Sequence, residues 1–131
     1  MKCPCGTGLL YFVCCGRFVE GDELPTTAEQ LMRSRYTAFT KRRWTYVSQT
    51  QTEPFDGTGD ESVSWTNLKI HSTEGGGEND SEGWVTFTAS FEQAGSTREM
   101  TEKSYFLRTG SRWLYEPAKS LTGLPKAFIV G

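Results

Sequence analysis

The fold class is decided by residues 84–91, which read Trp84-Val85-Thr86-Phe87-Thr88-Ala89-Ser90-Phe91. Apolar side chains alternate here with mostly polar ones, and a period of two is typical of a strand that buries one face. We therefore expect an inward-facing set of Val85, Phe87, Ala89 and Phe91. The intervening positions Thr86, Thr88 and Ser90 are expected to be more exposed.

Three further strands are predicted around this one, each separated from the next by a short turn. The first begins near Ser64, and a polar, glycine-rich loop at residues 75–80 follows it. The third strand covers about residues 98–108, and the fourth covers residues 112–116. Short turns cannot make a parallel crossover, so the four strands are expected to form an antiparallel meander.

Before the strands, the period changes to that of a helix. One helix face collects apolar and aromatic residues with an arginine at its edge, namely Leu31, Met32, Arg35, Tyr36 and Phe39. Thr26 is the expected N-cap, with Glu29 completing a capping box. A second short helix is expected at about residues 43–48. Helices followed by a meander predict an α+β fold, with the sheet bent around the first helix.

All four cysteines of the chain lie in its first fifteen residues, as Cys3, Cys5, Cys14 and Cys15. Four thiolates can close a tetrahedral zinc shell, which leaves no coordination position for water and makes the site structural. Two disulfides and a free redox pair are the alternatives. Zinc is favoured because no secretory signal indicates an oxidising compartment. We expect a zinc knuckle over residues 1–20 and a main domain over residues 21–131.

The stretch from Cys3 to Gly16 resembles the SEC-C motif, a zinc-binding element, in its ligand spacing, its glycines and Tyr11. The motif usually carries lysines where this chain has the apolar residues Leu9, Leu10, Phe12 and Val13. We expect these four side chains to pack against the chain's own domain, because contiguous apolar surface is rarely left in water.

The main domain resembles the YchJ-like family of small bacterial proteins. The resemblance is carried by residues 31–39, Trp65, residues 102–107 and residues 113–115, so it extends over most of the chain. It implies a fold similar to nuclear transport factor 2, in which a curved antiparallel sheet wraps a long helix into a cystatin-like cone. The family brings no established biochemical activity with it.

A cone of this kind can hold a pocket between its sheet and its helix. We expect five side chains to meet there as a ligand-binding site, namely Arg35, Tyr36, Trp65, Glu102 and Trp113. Arg35 is a candidate residue for binding an anionic ligand, while Glu102 and Tyr36 are the candidate catalytic groups. The favoured interpretation is a buried Arg35–Glu102 ion pair, which would hold the carboxylate inert.

Composition and charge exclude several classes of protein. The chain has 131 residues, enough for one modest core, and its net charge of −2 argues against general nucleic-acid binding. No apolar stretch approaches the roughly 20 residues of a membrane span, so we expect a soluble cytoplasmic protein. The tail at residues 127–131 is apolar enough to dock or to extend a sheet edge.

These observations favour a binding or adaptor module, for a small ligand or a protein partner, over an enzyme. The expected metal shell is closed, and no acid–base pair stands alone. A small lyase, isomerase or hydrolase that uses the cone pocket is the alternative. A ribosome- or nucleic-acid-associated factor is the second alternative, and it rests on the knuckle and the basic residues 41–43. The sequence leaves open whether the chain forms oligomers.

Overall fold

The computed structural model describes residues 1–55 and 62–122. After a short 3₁₀ turn at Tyr11–Val13, the helices are α1 (Gly16–Val19), α2 (Ala28–Lys41) and α3 (Trp44–Gln49). The strands are β1 (Ser64–Gly75), β2 (Glu82–Gln93), β3 (Ser96–Thr109) and β4 (Arg112–Thr122). The apolar tail at residues 127–131 lies outside the described residues. No helix within the described ranges is long and apolar enough to cross a lipid bilayer.

The four strands form one antiparallel sheet in the order β1-β2-β3-β4, which confirms the predicted meander and the α+β class. The pairing of β1 with β2 shifts register after Trp65 and again after Ile70, and that of β3 with β4 shifts after Lys103. Such irregularities bend the strand that carries them and increase its local twist.

The register of β2 is the one that its alternation predicts. Val85, Phe87 and Ala89 are buried, while Phe91, near the end of the strand, is half-buried. These side chains face α2 and form the sheet side of the core.

The prediction for Thr86 was wrong, because this residue is buried on the outer face of the sheet. Lys103, its neighbour across the strand pair, has its Nζ 2.8 Å from a carboxylate oxygen of Glu74 and 5.1 Å from the ring centre of Trp84. These long side chains lie on the same outer face of the sheet as Thr86.

The long helix is not confirmed, because α2 has 14 residues. Its N-cap is Thr27, one residue later than predicted, and the Thr27 hydroxyl accepts from the backbone N–H of Gln30 at 3.1 Å. The side chain of Gln30, and not that of Glu29, reaches back to accept from the N–H of Thr26 at 2.8 Å. The last residue of the helix is Lys41, and the C-cap residue Arg42 stops it with a left-handed backbone (φ 59°).

Helix α2 is buried on more than the single face that its apolar pattern predicts. Besides the side that meets the sheet, Ser34, Thr37 and Ala38 are fully buried. The Ser34 hydroxyl lies 2.7 Å from the hydroxyl of Tyr46 in α3, and the Thr37 hydroxyl lies 3.6 Å from Sγ of Cys3. Small side chains on this side of α2 therefore let α3 and the knuckle approach closely.

The apolar residues of the knuckle do not pack against the domain, so that expectation was wrong. Their exposed fractions are 51% for Leu9, 58% for Leu10, 69% for Phe12 and 60% for Val13. The interior of the knuckle is occupied by the four cysteines and by Tyr11, which is buried. The side chains between these positions therefore point outward and form an exposed surface, which we call the apolar tip.

Candidate functional site

The four cysteines form a compact, buried cluster of free thiols. Their sulfur atoms all lie within 4.8 Å of one another. A tetrahedral zinc–thiolate site has Zn–S bonds of about 2.3 Å, which implies sulfur–sulfur separations of about 3.8 Å. The cluster is therefore close to the size that a single metal ion requires, and the alternative with two disulfides is not found.

The local backbone explains how the two cysteine pairs meet. Gly6 and Gly8 adopt φ values of 87° and 84°, which glycine tolerates best. The turn that they make reverses the chain, and the N–H of Cys3 donates to the carbonyl of Leu9 at 2.8 Å. At Gly16, a β-carbon would lie 2.8 Å from the carbonyl oxygen of Tyr11. Only glycine allows this close approach just after the second pair.

The clustered thiols affect one another's ionisation. A hydrogen bond from Cys15 lowers the pKa of the Cys5 thiol to about 4, and the same interaction together with burial raises the pKa of Cys15. Burial also raises the pKa of Cys14. Several thiolates cannot coexist in this space without a counter-charge, and a divalent metal ion supplies one.

The knuckle is tied directly to α2. The guanidinium of Arg33 donates to the backbone carbonyl of Cys5 at 2.8 Å and also binds Glu29 at 2.9 Å. The four cysteines belong to the same cluster of buried residues as Leu31 and Phe106. The division at residue 20 stays a prediction, but the knuckle and the helix share packing.

A cavity of about 180 Å³ lies between α2 and the inner face of the sheet. Four of the five side chains expected at this interface line it, namely Arg35, Tyr36, Trp65 and Glu102. Most of the remaining wall is apolar, with Met32, Phe39, Phe87, Ala89, Met100 and Phe106. Ser104 and Tyr115 complete the lining. Whether these residues bind a ligand stays a prediction.

Trp113 does not line this cavity, so its place in the expected cluster was wrong. Its indole N–H donates to the carbonyl of Thr26 at 3.1 Å, just before α2 begins. There it borders a second, larger groove of about 520 Å³ between α1, α3 and the start of β4. Tyr115, two residues further along the same strand face, takes the position beside the cavity that the sequence assigned to Trp113.

Arg35 is buried, yet the predicted ion pair with Glu102 is absent from the described part of the structure. Its guanidinium donates to the carbonyl of Val47 at 3.0 Å, to the hydroxyl of Thr50 at 2.8 Å and to Oε1 of Gln51 at 2.8 Å. Burial lowers the pKa of Arg35 to about 10, which leaves it protonated at neutral pH. Acceptors at the end of α3 therefore take the place of the carboxylate.

Glu102 is held by two hydroxyl groups and not by a cation. The Tyr115 hydroxyl donates to Oε2 at 2.7 Å, and the Ser104 hydroxyl donates to the same oxygen. Burial, and then the charge of Glu102, raise the pKa of Tyr115, so its hydroxyl stays protonated and donates. The guanidinium carbon of Arg35 lies 4.7 Å from the centre of the Tyr115 ring, which places Tyr115 between the two charges.

Sequence reasoning missed Ser104 and Tyr115 as members of this network. The signal was present, because Ser104 follows Glu102 by two positions on β3 and Tyr115 follows Trp113 by two positions on β4. Residues two apart share a strand face, so both were candidates for the same side of the sheet as the predicted site.

This architecture, a four-stranded antiparallel sheet packed on a helix, defines an α+β domain, and the cysteine cluster at its start could hold a metal ion. Residues 27–118 match the family model described as "YchJ, middle NTF2-like domain". The chain belongs to this family, as the sequence resemblance indicated.

Curated relatives carry family-level names. The chain is 41% identical over 118 residues to a UPF0225 protein of Corynebacterium efficiens, covering 88% of this chain and 90% of that one. It is 40% identical over 122 residues to a UPF0225 protein of Geobacter sulfurreducens, covering 86% and 75%. These matches extend the family assignment to most of the chain.

Two solved structures share the fold. A SEC-C motif containing protein from Rhodopseudomonas palustris superposes with a TM-score of 0.76 at 28% identity, covering 88% of this chain and 95% of that one. A second, from Psychrobacter arcticus, gives a TM-score of 0.71 at 21% identity, covering 94% and 84%. The second likeness bears on the fold alone.

Proposed function

We propose that this protein is a binding module, stabilised by zinc at the knuckle, whose cavity between α2 and the sheet takes a small and largely apolar molecule. The observation that carries the proposal is the cavity itself, an apolar space into which two buried charged residues reach. Arg35 is 7% exposed and Glu102 is 6% exposed. Burying charge is costly, and pockets that combine apolar walls with a few placed polar groups are typical of ligand sites.

The arrangement of these groups favours binding over catalysis. A general base must be free to take a proton from a substrate, whereas Oε2 of Glu102 already accepts from two hydroxyl groups. Burial raises the pKa of Tyr36, so this phenol is a poor proton donor near neutral pH. The lyase, isomerase or hydrolase alternative would have to use a single carboxylate oxygen without an acid partner.

Zinc is the metal we propose for the cysteine cluster. Four thiolates without carboxylate or water ligands suit zinc, whereas calcium and magnesium prefer oxygen. We propose the cytoplasm as the compartment, because thiols stay reduced there and remain available to a metal ion. The metal's role in this proposal is to hold the knuckle against α2.

Filling the cavity should abolish ligand binding. Ala89 is buried in the cavity wall, so Ala89→Leu places three extra carbon atoms in the space that the ligand would occupy. A ligand present at a concentration of one hundred times its Kd should raise the free energy of unfolding of the wild-type protein by about 2.7 kcal/mol. This increase should vanish in the variant. A thermal-shift screen of small apolar molecules, followed by calorimetry on the hits, measures both.

Ala118→Leu is the matched control, since Ala118 is exposed on β4 and the same change there should leave binding intact. Circular dichroism shows whether Ala89→Leu is folded, because overpacking can cost about 1–3 kcal/mol. A folded Ala89→Leu protein that binds the hits as tightly as wild type would refute the cavity as their site.

An adaptor role is the second candidate function, and the exposed apolar tip favours it. All four apolar side chains of the tip are exposed, and exposed apolar surface of this kind often marks a protein interface. A photo-crosslinking residue at position 12 should then form a discrete adduct in cells, while one at Glu99, exposed on β3, should not. Equal labelling from both positions would speak against a specific partner.

A further inference from the structure

We infer that the ligand of the cavity is a neutral molecule with a single ring and one hydrogen-bond donor, which it directs at Oε1 of Glu102. This inference rests on the proposed function, because it assigns a ligand class to the same cavity. It follows from the size of the space, the character of its walls and the hydrogen-bonding positions of its two charged residues.

Size limits the ligand to about one ring. An apolar cavity of about 150 Å³ is sufficient for benzene. The space between α2 and the sheet measures about 180 Å³, which leaves room for one ring and one or two further atoms. A fused polycyclic molecule would exceed this volume and would have to protrude through the opening of the cavity.

The walls suit an aromatic ring. Six aromatic side chains line the cavity, and they come from α2 and from all four strands: Tyr36, Phe39, Trp65, Phe87, Phe106 and Tyr115. Several already contact one another, with ring centres 6.2 Å apart for Tyr36 and Trp65 and 5.7 Å apart for Phe106 and Tyr115. A bound ring would gain edge-to-face or offset contacts of the same kind.

Glu102 determines the polar group of the ligand. Both hydroxyl donors bind Oε2, and no described residue donates to Oε1. No buried side-chain oxygen in the described residues lacks a partner, so Oε1 must be accessible, and the cavity is the space that Glu102 lines. An ionised carboxylate oxygen only accepts hydrogen bonds, so the matching group on the ligand is a donor such as a hydroxyl.

Arg35 explains why the ligand is neutral. Three of its five N–H bonds go to acceptors at the end of α3, and its guanidinium carbon lies 4.7 Å from the centre of the Tyr115 ring, so most of its donors serve the protein itself. Its positive charge also offsets that of Glu102 across the Tyr115 ring, which removes the need for a cationic ligand. The anion-binding role that the sequence suggested for Arg35 is therefore not part of the inference.

Four probes of similar size separate these features in calorimetric titrations: phenol, toluene, benzonitrile and benzoate. Phenol should bind wild type at least about tenfold more tightly than toluene or benzonitrile, since a hydrogen bond to a charged group exceeds the 1.4 kcal/mol that corresponds to that ratio. Benzoate should not bind measurably, because its carboxylate would face Glu102.

Glu102→Gln should reverse the preference. The amide oxygen is expected to keep the Ser104 and Tyr115 hydroxyls, which places the amide NH₂ at the Oε1 position, where it donates into the cavity. Benzonitrile, an acceptor, should then bind more tightly than phenol. Glu99→Gln removes the same charge from the outer face of the same strand and should leave the wild-type order unchanged.

The outcomes separate the inference from the function on which it rests. If toluene binds wild type as tightly as phenol, or if Glu102→Gln keeps the wild-type order, the cavity binds ligands but the donor assignment is wrong. Failure of every neutral probe to bind wild type would overturn the proposed function together with the inference.

Discussion

Replacing Cys14 with serine is expected to reduce the metal content from one zinc ion per chain to none in the presence of a chelator that leaves the wild type loaded. Cys14 is one of four converging thiols, and a serine hydroxyl is a poor zinc ligand at neutral pH. Structural zinc sites bind with apparent free energies of about 10–16 kcal/mol in small peptides, so this should be the largest effect of any single substitution. Elemental analysis with chelator competition measures it.

Thr7→Ala is the control for this substitution, because the Thr7 hydroxyl lies 3.1 Å from Sγ of Cys14 but is not among the clustered thiols. That variant should retain one zinc ion. We also expect metal loss to lower the thermal stability of the main domain, because Arg33 and Thr37 of α2 contact the knuckle. Wild-type protein purified under reducing conditions without any bound metal would contradict the zinc assignment.

Phe87→Ala should lower the free energy of unfolding by about 3–5 kcal/mol. Phe87 is 7% exposed on the inner face of β2, between Ile70 of β1 and Glu102 of β3 in the pairing. Its removal takes away apolar contact area and enlarges the cavity that it lines. Urea denaturation followed by tryptophan fluorescence gives the value.

Phe12→Ala makes the same chemical change in the apolar tip, where the side chain is 69% exposed. Its effect should stay within about 0.5 kcal/mol, as for other surface substitutions. A small loss for Phe87→Ala, or a comparable loss for both variants, would mean that the register of β2 places different residues in the core.

The sheet could be predicted from the sequence because its main signal is local. The alternation at residues 84–91 gives the inward face of β2, and the short turns fix the antiparallel order of the strands. Thr86 departs from the pattern for a reason that the alternation does not contain. It pairs with Ser72 of β1 and Lys103 of β3, and these neighbours depend on the pairing register.

The sequence predicts which helix and strand faces carry the residues of the candidate site, but it does not predict the contacts that these residues make. Periodicity places Arg35 on the core side of α2 and Glu102 on the inner face of β3, and both line the cavity. Periodicity does not show which residue of β4 lies level with the cavity along the axis of α2. Trp113 was therefore assigned to the cavity, whereas Tyr115 lines it. Nor does periodicity show that the end of α3 brings acceptors to Arg35, because that contact depends on how two helices pack.

The apolar tip shows the same limit in the knuckle. Apolar composition predicts burial, but between Cys3 and Gly16 the only buried positions are the four cysteines, Tyr11 and Gly16 itself. Side chains at the remaining positions have no interior to enter. Counting the inward positions of the motif, and not the hydropathy of its residues, would have predicted their exposure.

The central claim, that the cavity takes a small ligand, is tested most directly by methyl NMR of methionine-labelled protein during a phenol titration. The chain has three methionines, of which Met32 and Met100 line the cavity while Met1 is 77% exposed. We predict that the methyl signals of Met32 and Met100 shift together and saturate with one dissociation constant, while that of Met1 stays in place. Saturating phenol that leaves the Met32 and Met100 signals unmoved, or that shifts only Met1, would contradict the account.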